Sequence, residues 1–154
     1  MSELISGKMI SAQINEELRS EVEHLKENNI EPCLAVILVG EDPASAVYVR
    51  NKKRTCAELG IRSIGHDLPE TTSQDQLENL VNNLNNDPSI HGILNQFPLP
   101  NGLDESRVIR TISPEKDVDG LHPLNAGLIA MGQPSFISCT PYGVLQMLKR
   151  SHIS

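Results

Sequence analysis

The sequence predicts an α/β protein with a mainly parallel sheet and flanking helices, and three observations carry that prediction. Segments of helical periodicity alternate with short apolar runs, the order expected of βαβ units. The run "CLAVILVG", residues 33–40, is apolar almost throughout and partly β-branched, as a strand buried on both faces should be. The core palette is aliphatic: with two Phe, two Tyr and no Trp in 154 residues, Leu, Ile, Val and Ala must fill the interior. That length suits one domain with a real core and is short for two full-sized ones.

Taken in order, Met9, Ile10, Ile14, Leu18, Val22 and Leu25 recur at helical spacing with charges between them and predict an amphipathic first helix. The first strand follows and ends at Gly40. "EDPASAVYVRNKKRTCAELG", residues 41–60, predicts a helix with Pro43 near its start and Gly60 just past its end. "IRSIGHDLP" reads as a second strand, and residues 73–87 as a helix with Ser73 and Gln76 at capping-box spacing. "IHGILNQFPLP", residues 90–100, is the third strand, running into a Pro-containing loop. A short helix near "DESRVIRTI", an irregular "SPEKDVDGLHP" and a short helix over "LNAGLIAMG" come next. In "SCTPYGVLQMLKR" Thr140 is expected to cap a last helix whose first residue is Pro141. No Gly or Pro stop follows "LKRSHIS", so that helix is expected to be cut off by the chain end.

A formal charge of −7 argues against broad binding to nucleic acid or to an anionic membrane, both of which need a positive face. Cys33, Cys56 and Cys139 are odd in number and widely spaced, which fits neither a disulfide framework nor a zinc site and suits a reducing compartment. The five histidines lack metal-site spacing, so no metal is expected. "MSELISGKMI" does not read as a signal peptide and no stretch approaches membrane-spanning length; a cytoplasmic protein is expected.

The helix over 41–60 raises one question. At about 100° per residue, the arc holding Ala44, Ser45, Val47, Tyr48, Asn51, Lys52, Thr55, Cys56 and Leu59 contains a single charge, Lys52, while Arg50, Lys53 and Arg54 face solvent. Burying an unpaired ammonium is costly. One reading is that Lys52 snorkels, its stem on the core and its head in water. The other is a general acid or base, because the helix begins at the carboxyl edge of a parallel sheet, where ligands of open α/β folds bind. Asn95 and Gln96 come late in the third strand at the same edge; alternation puts Leu94 and Gln96 on one face, and Ile93, Asn95 and Phe97 on the other. Gln96 either caps the following loop or holds Lys52 or a substrate. Asp117 and Asp119 flank Val118 before Gly120, a spacing that marks a turn in which a carboxylate takes backbone N–H groups, or a pocket acid that grips a heterocycle. Tyr48 and Lys52 also spell Y-x-x-x-K, the pair of short-chain dehydrogenases, but "VGEDPAS" has one glycine and two acids, a poor cradle for a pyrophosphate.

Together, "LAVILVGEDPASAVYVRNKKRTCAELGI", "GILNQFPLP", "PEKDVDGLHPLNAG" and "SCTPYGVLQML" closely resemble the bifunctional methylenetetrahydrofolate dehydrogenase/methenyltetrahydrofolate cyclohydrolase family, called FolD in bacteria. The resemblance implies an oxidoreductase and hydrolase of one-carbon metabolism. It would oxidise 5,10-methylenetetrahydrofolate with NADP and hydrolyse the product to 10-formyltetrahydrofolate, which feeds purine biosynthesis, as a homodimer. Lys52 matches the family's catalytic lysine, Gln96 the glutamine that hydrogen-bonds it, Tyr48 the tyrosine that packs on folate, and Asp119 the carboxylate that grips the pterin. Tyr48, Val49, Arg50, Asn51 and Lys52, with Asn95, Gln96 and Phe97, match the folate-lining stretches. Asn95 stands where the family usually has an aliphatic residue, often Val, and Ser138 where Pro is common. The resemblance also implies that residues 1–120 are the folate-binding catalytic unit. Residues 121–154 would then be a hinge and the start of an interdomain helix, with the Rossmann domain that binds NADP lying outside these residues. The alternative is a non-catalytic folate-binding module.

Overall fold

The computed structural model describes residues 4–153. Helix α1 spans Gly7–Glu27, with Ser6 capping its start through a hydrogen bond from Met9 N. Strand β1, Cys33–Val39, leads through Gly40 into α2, Pro43–Leu59. Asp42 caps α2 by accepting from Ser45 N at 2.7 Å, and Gly60 closes it in the left-handed region at φ 76°. Strand β2, Arg62–Leu68, is followed by α3, Gln74–Asn86, whose start carries the full reciprocal capping box of Ser73 and Gln76. Strand β3, Gly92–Asn95, and the helices α4, Glu105–Thr111, α5, Pro123–Ala130, and α6, Cys139–Arg150, complete the order.

The three strands form one parallel sheet in the order β2-β1-β3. Central β1 is buried on both faces, as its unbroken apolar run requires. Below it, Ala35, Ile37, Val39 and Ile93 pack against Leu77, Val81 and Leu84 of α3 and Val108 of α4. Above it, Val36, Leu38 and Leu94 pack against Val49 of α2.

The third strand is shorter than its apolar run suggests. Gln96 N still donates to Ile37 O at 2.9 Å, but Pro98 and Pro100 have no N–H to extend the ladder. The outer edge of β3 is met instead by residues 116–118: Ile93 N donates to Lys116 O at 2.8 Å, and Ile93 and Asp117 form a parallel bridge. The Lys116 ammonium reaches the end of α3 and donates to the carbonyls of Leu84, Asn85 and Asp87 at 3.0, 2.8 and 2.8 Å. These carbonyls lie at the end of α3, where the regular helical ladder runs out, and a cation there also complements the helix dipole.

Both ends of α6 depart from expectation. Ser138, without a side-chain bond, holds the N-cap position, and Thr140 lies inside the first turn. At the other end the helix stops within the described residues. His152 adopts φ 56°, His152 N donates to Lys149 O at 3.1 Å, and Ile153 N donates to Leu148 O at 3.0 Å. That is the Schellman pattern, with histidine in the position glycine usually takes. Arg150 forks onto Glu17 of α1 with two bonds of 2.7 and 2.6 Å. No helix among the described residues is long and apolar enough to cross a membrane.

Candidate active site

The site begins with the turn of α2. Its buried seam is Ser45, Val49, Cys56 and Leu59, so the helix is rotated from the arc read off the sequence, toward Val49. Val47 and Tyr48 are exposed, Tyr48 at 62%. Lys53, expected in solvent, lies across Gly65 of β2, where a missing side chain leaves room, and pairs with Asp67 at 3.5 Å. Tyr48, Asn51 and Thr55 occupy the flank between seam and solvent, and that flank walls a cavity of about 430 Å³. Leu34, Leu94 and Val118 form its floor, and Asp119 and Cys139 its far side.

Lys52 stands at the edge of this cavity, half-buried and paired. Its Nζ donates to Gln96 Oε1 at 3.3 Å, and Gln96 Nε2 donates to Phe97 O at 2.8 Å. The sheet fixes the amide: Gln96 is the last residue bonded to β1, on the α2 face that alternation assigns it. Both readings made from sequence hold for Gln96, since it binds the loop backbone with one end and Lys52 with the other. A second cavity of about 220 Å³, lined by Gln96, Phe97, Leu121, Ser138 and Thr140, adjoins the first through Asp119 and Cys139.

The two acids divide the roles that spacing left open. Asp117 is buried and takes the turn's N–H groups, accepting from Leu121 N at 3.2 Å and His122 N at 2.8 Å. Asp119 is half-buried and shared by the two cavities. Between them, the thiol of Cys139 donates to Val118 O at 3.4 Å. Burial, then the charge and hydrogen bonding of Asp119, push that thiol above its ordinary pKa, with Lys52 opposing, so it stays protonated at neutral pH.

Of the residues singled out from sequence, Tyr48, Asn51, Lys52, Gln96, Phe97 and Asp119 line the cavities. Val49, Arg50 and Asn95 do not. Val49 faces the sheet inside the core, Arg50 is exposed on the outer face of α2, and Asn95 is 2% exposed on the α3 side of the sheet, opposite Gln96. Cys139, Thr55 and Val118 were not singled out; Cys139 shows no chemistry until the fold brings the start of α6 against residues 118–119. Another cavity, about 550 Å³ between α5 and residues 134–136, is walled mainly by Leu124, Leu128, Pro134 and Phe136 and gathers no comparable set of groups. Among the described residues, no group of three or more His, Cys, Asp or Glu side chains could hold a metal.

An amine held by an amide at the carboxyl edge of a parallel sheet, facing a carboxylate across an apolar cavity, defines an α/β catalytic domain of the open-sheet type. The family model described as "Tetrahydrofolate dehydrogenase/cyclohydrolase, catalytic domain" matches residues 5–119. The chain belongs to that family. It is 53% identical over 153 residues to the bifunctional protein FolD of Agathobacter rectalis, covering 99% of this chain and 55% of that protein. It is 57% identical over 147 residues to the FolD of Caldicellulosiruptor saccharolyticus, covering 94% and 53%. Among solved structures, the bifunctional FolD of Campylobacter jejuni superposes with a TM-score of 0.97 at 46% identity, covering 98% of this chain and 54% of that one. The Trypanosoma brucei FolD, complexed with NADP cofactor and an inhibitor, gives a TM-score of 0.94 at 32% identity, covering 99% and 52%. The chain thus spans about half the length of the curated relatives it matches.

Proposed function

We propose that this chain is the folate-binding catalytic part of a methylenetetrahydrofolate dehydrogenase/methenyltetrahydrofolate cyclohydrolase, with residues 1–120 as the folate unit and residues 121–154 as the hinge segment. The observation that carries the reading is the Lys52–Gln96 pair at 3.3 Å on the rim of a cavity that Tyr48 and Asp119 also line. In the hydrolytic step, water attacks the cationic methenyl carbon, a C–O bond forms, and the ring C–N bond breaks to leave the 10-formyl product. Lys52, aimed by Gln96, takes the proton that the water loses and manages its return in ring opening. Asp119 orients the pterin by accepting paired N–H donors, and Tyr48 covers the ring system against solvent.

NADP is the expected hydride acceptor of the companion reaction, and the residues described here do not fit it. The turn after β1 is lined by Glu41, Asp42 and Glu70, and Asp42 already occupies the start of α2, its carboxyl held below the usual range by the Ser45 N–H. A pyrophosphate would meet acids where it needs donors. We assign the dinucleotide to the half of the longer relatives that this chain does not span, and derive no step through it. The same reading carries a cytoplasmic homodimer whose product supplies purine biosynthesis, which sedimentation and localisation of the tagged protein would test.

The deciding experiment is hydrolysis of 5,10-methenyltetrahydrofolate by the chain and by Lys52→Met. The variant keeps the stem and loses the amine, so the rate should fall by about 10²–10⁴ with the circular dichroism unchanged. A variant near the parent rate would overturn the assignment of Lys52. A parent that binds folate without hydrolysing the substrate would select the non-catalytic module instead.

A further inference from the structure

The α5 segment contributes no side chain to the two cavities of the candidate site, yet one of its residues bonds the segment that carries Asp119. Asn125 is 3% exposed, and its amide is fully used. Nδ2 donates to Asp117 Oδ2 at 2.8 Å and to Pro114 O at 3.0 Å, and Oδ1 accepts from Ser135 Oγ at 2.7 Å. A side-chain amide has two donor hydrogens and one strong acceptor, so this arrangement admits a single orientation. The Asp117 carboxylate and the Pro114 carbonyl set it, since both only accept: with the amide flipped, Oδ1 would face them, whereas the Ser135 hydroxyl can pair with either end.

The consequence reaches the site through two residues of backbone. Asp117 is 3% exposed and closes the turn over residues 117–122 with Leu121 N and His122 N. Asp119 lies inside that turn, its carbonyl accepting from Cys139 N at 3.3 Å. Gly120 follows, packed so closely on residues 137–138 that an added Cβ would stand 2.5 Å from Ile137 C. One amide therefore ties the start of the segment at Pro114, its middle at Asp117 and the irregular stretch around Ser135. A buried carboxylate stripped of such a donor re-forms its bonds elsewhere or moves toward water.

We propose that Asn125 is a positioning residue for folate recognition: by bonding Asp117, Pro114 and Ser135 at once, it fixes the turn that aims Asp119 into the cavity. This rests on the folate reading above. The test measures binding of 5-formyltetrahydrofolate by calorimetry, alongside thermal melting, for the parent chain, Asp119→Ala, Asn125→Leu, Ser135→Ala and the exchanged pair Asp117→Asn/Asn125→Asp. The expected result is at least tenfold weaker binding by folded Asn125→Leu and a two- to fivefold loss for Ser135→Ala. The exchanged pair, which restores an amide-to-carboxylate bond, should recover at least threefold over Asn125→Leu. A purely structural residue would lower the melting temperature and leave the dissociation constant of the folded chain alone. Binding by Asn125→Leu within twofold of the parent would overturn the proposal; should that variant not fold, unchanged binding by Ser135→Ala would do so. A parent that fails to bind the probe, or an Asp119→Ala that binds like the parent, refutes the folate reading itself and takes this inference with it.

Discussion

Asn95 is the buried residue whose surroundings match its chemistry least. It sits at the end of β3 on the α3 side of the sheet, level with Ile37 of β1, at 2% exposure, and neither its Oδ1 nor its Nδ2 has a partner. Replacing Asn95 with Val keeps a similar size, suits a strand position, and removes two polar atoms from the apolar layer of Ile93 and Ile37. An unsatisfied buried amide costs ~1–3 kcal/mol, so Asn95→Val should stabilise the chain by about 2 kcal/mol. For a domain of this size that corresponds to a rise in Tm of roughly 4–8 °C. Urea and thermal unfolding followed by circular dichroism measure the difference directly. Because Gln96 and Lys52 lie across the sheet, folate affinity should stay within twofold of the parent. A fall in stability on removing the amide would refute the reasoning, since it would mean the amide is satisfied in solution. A large change in affinity would return Asn95 to the pocket that the sequence motif assigned it to.

Three further outcomes follow from the same geometry. Gly120→Ala meets both a φ of 65° and the backbone of residues 137–138, so it should cost more than about 1 kcal/mol in urea unfolding and weaken folate binding with it. Cys139 is exposed as a residue, but its thiol turns onto Val118 O, where partial desolvation and the charge of Asp119 raise its pKa; alkylation by iodoacetamide at pH 7–8 should be slower than that of free cysteine, with a rate midpoint at higher pH, and Asp119→Asn should speed it. The Arg150 guanidinium holds the Glu17 carboxyl below its ordinary range, so the stability this pair adds is full above the unfolded carboxylate pKa and is lost as pH falls through the lower folded value. The difference in stability between the parent and Arg150→Gln should therefore be present at pH 7, start to shrink near the ordinary glutamate pKa of about 4.3 and vanish only below the lower folded value, as acid titrations of both chains would reveal.

The sheet and its helices were legible because their signals are local. The apolar run of β1, the Ser73–Gln76 box and the Pro43 and Gly60 boundaries each act within a few residues, and each stands where the pattern put it. Most of what failed depended on partners distant in sequence. The rotation of α2 is set by its packing on Val36, Leu38 and Leu94, which periodicity in a helix with few large apolar residues cannot fix. Lys53 looked solvent-facing because nothing near it in sequence announces the bare surface over Gly65. The end of α6 was missed because histidine took the left-handed position, a conformation in which glycine is the expected signal. The candidate site divided the same way. Motif and position pointed to Lys52, Gln96 and Asp119, and they line the cavities, whereas the placement of Cys139 and Asn125 depends on the folded segment after residue 120.

The Lys116 ammonium joins a helix end to the segment that carries Asp119 into the candidate cavity. Its three carbonyl partners belong to the last turn of α3 and the residue just beyond it, and it sits three residues before Asp119. Fraying of that turn would free the lysine, and a freed lysine would loosen the stretch that bridges to β3. The two regions should open as one unit, so amide exchange in the last turn of α3 and over residues 117–121 should share a single opening free energy. A ligand seated on Asp119 would then slow exchange on the far side of the sheet, at a helix it never touches.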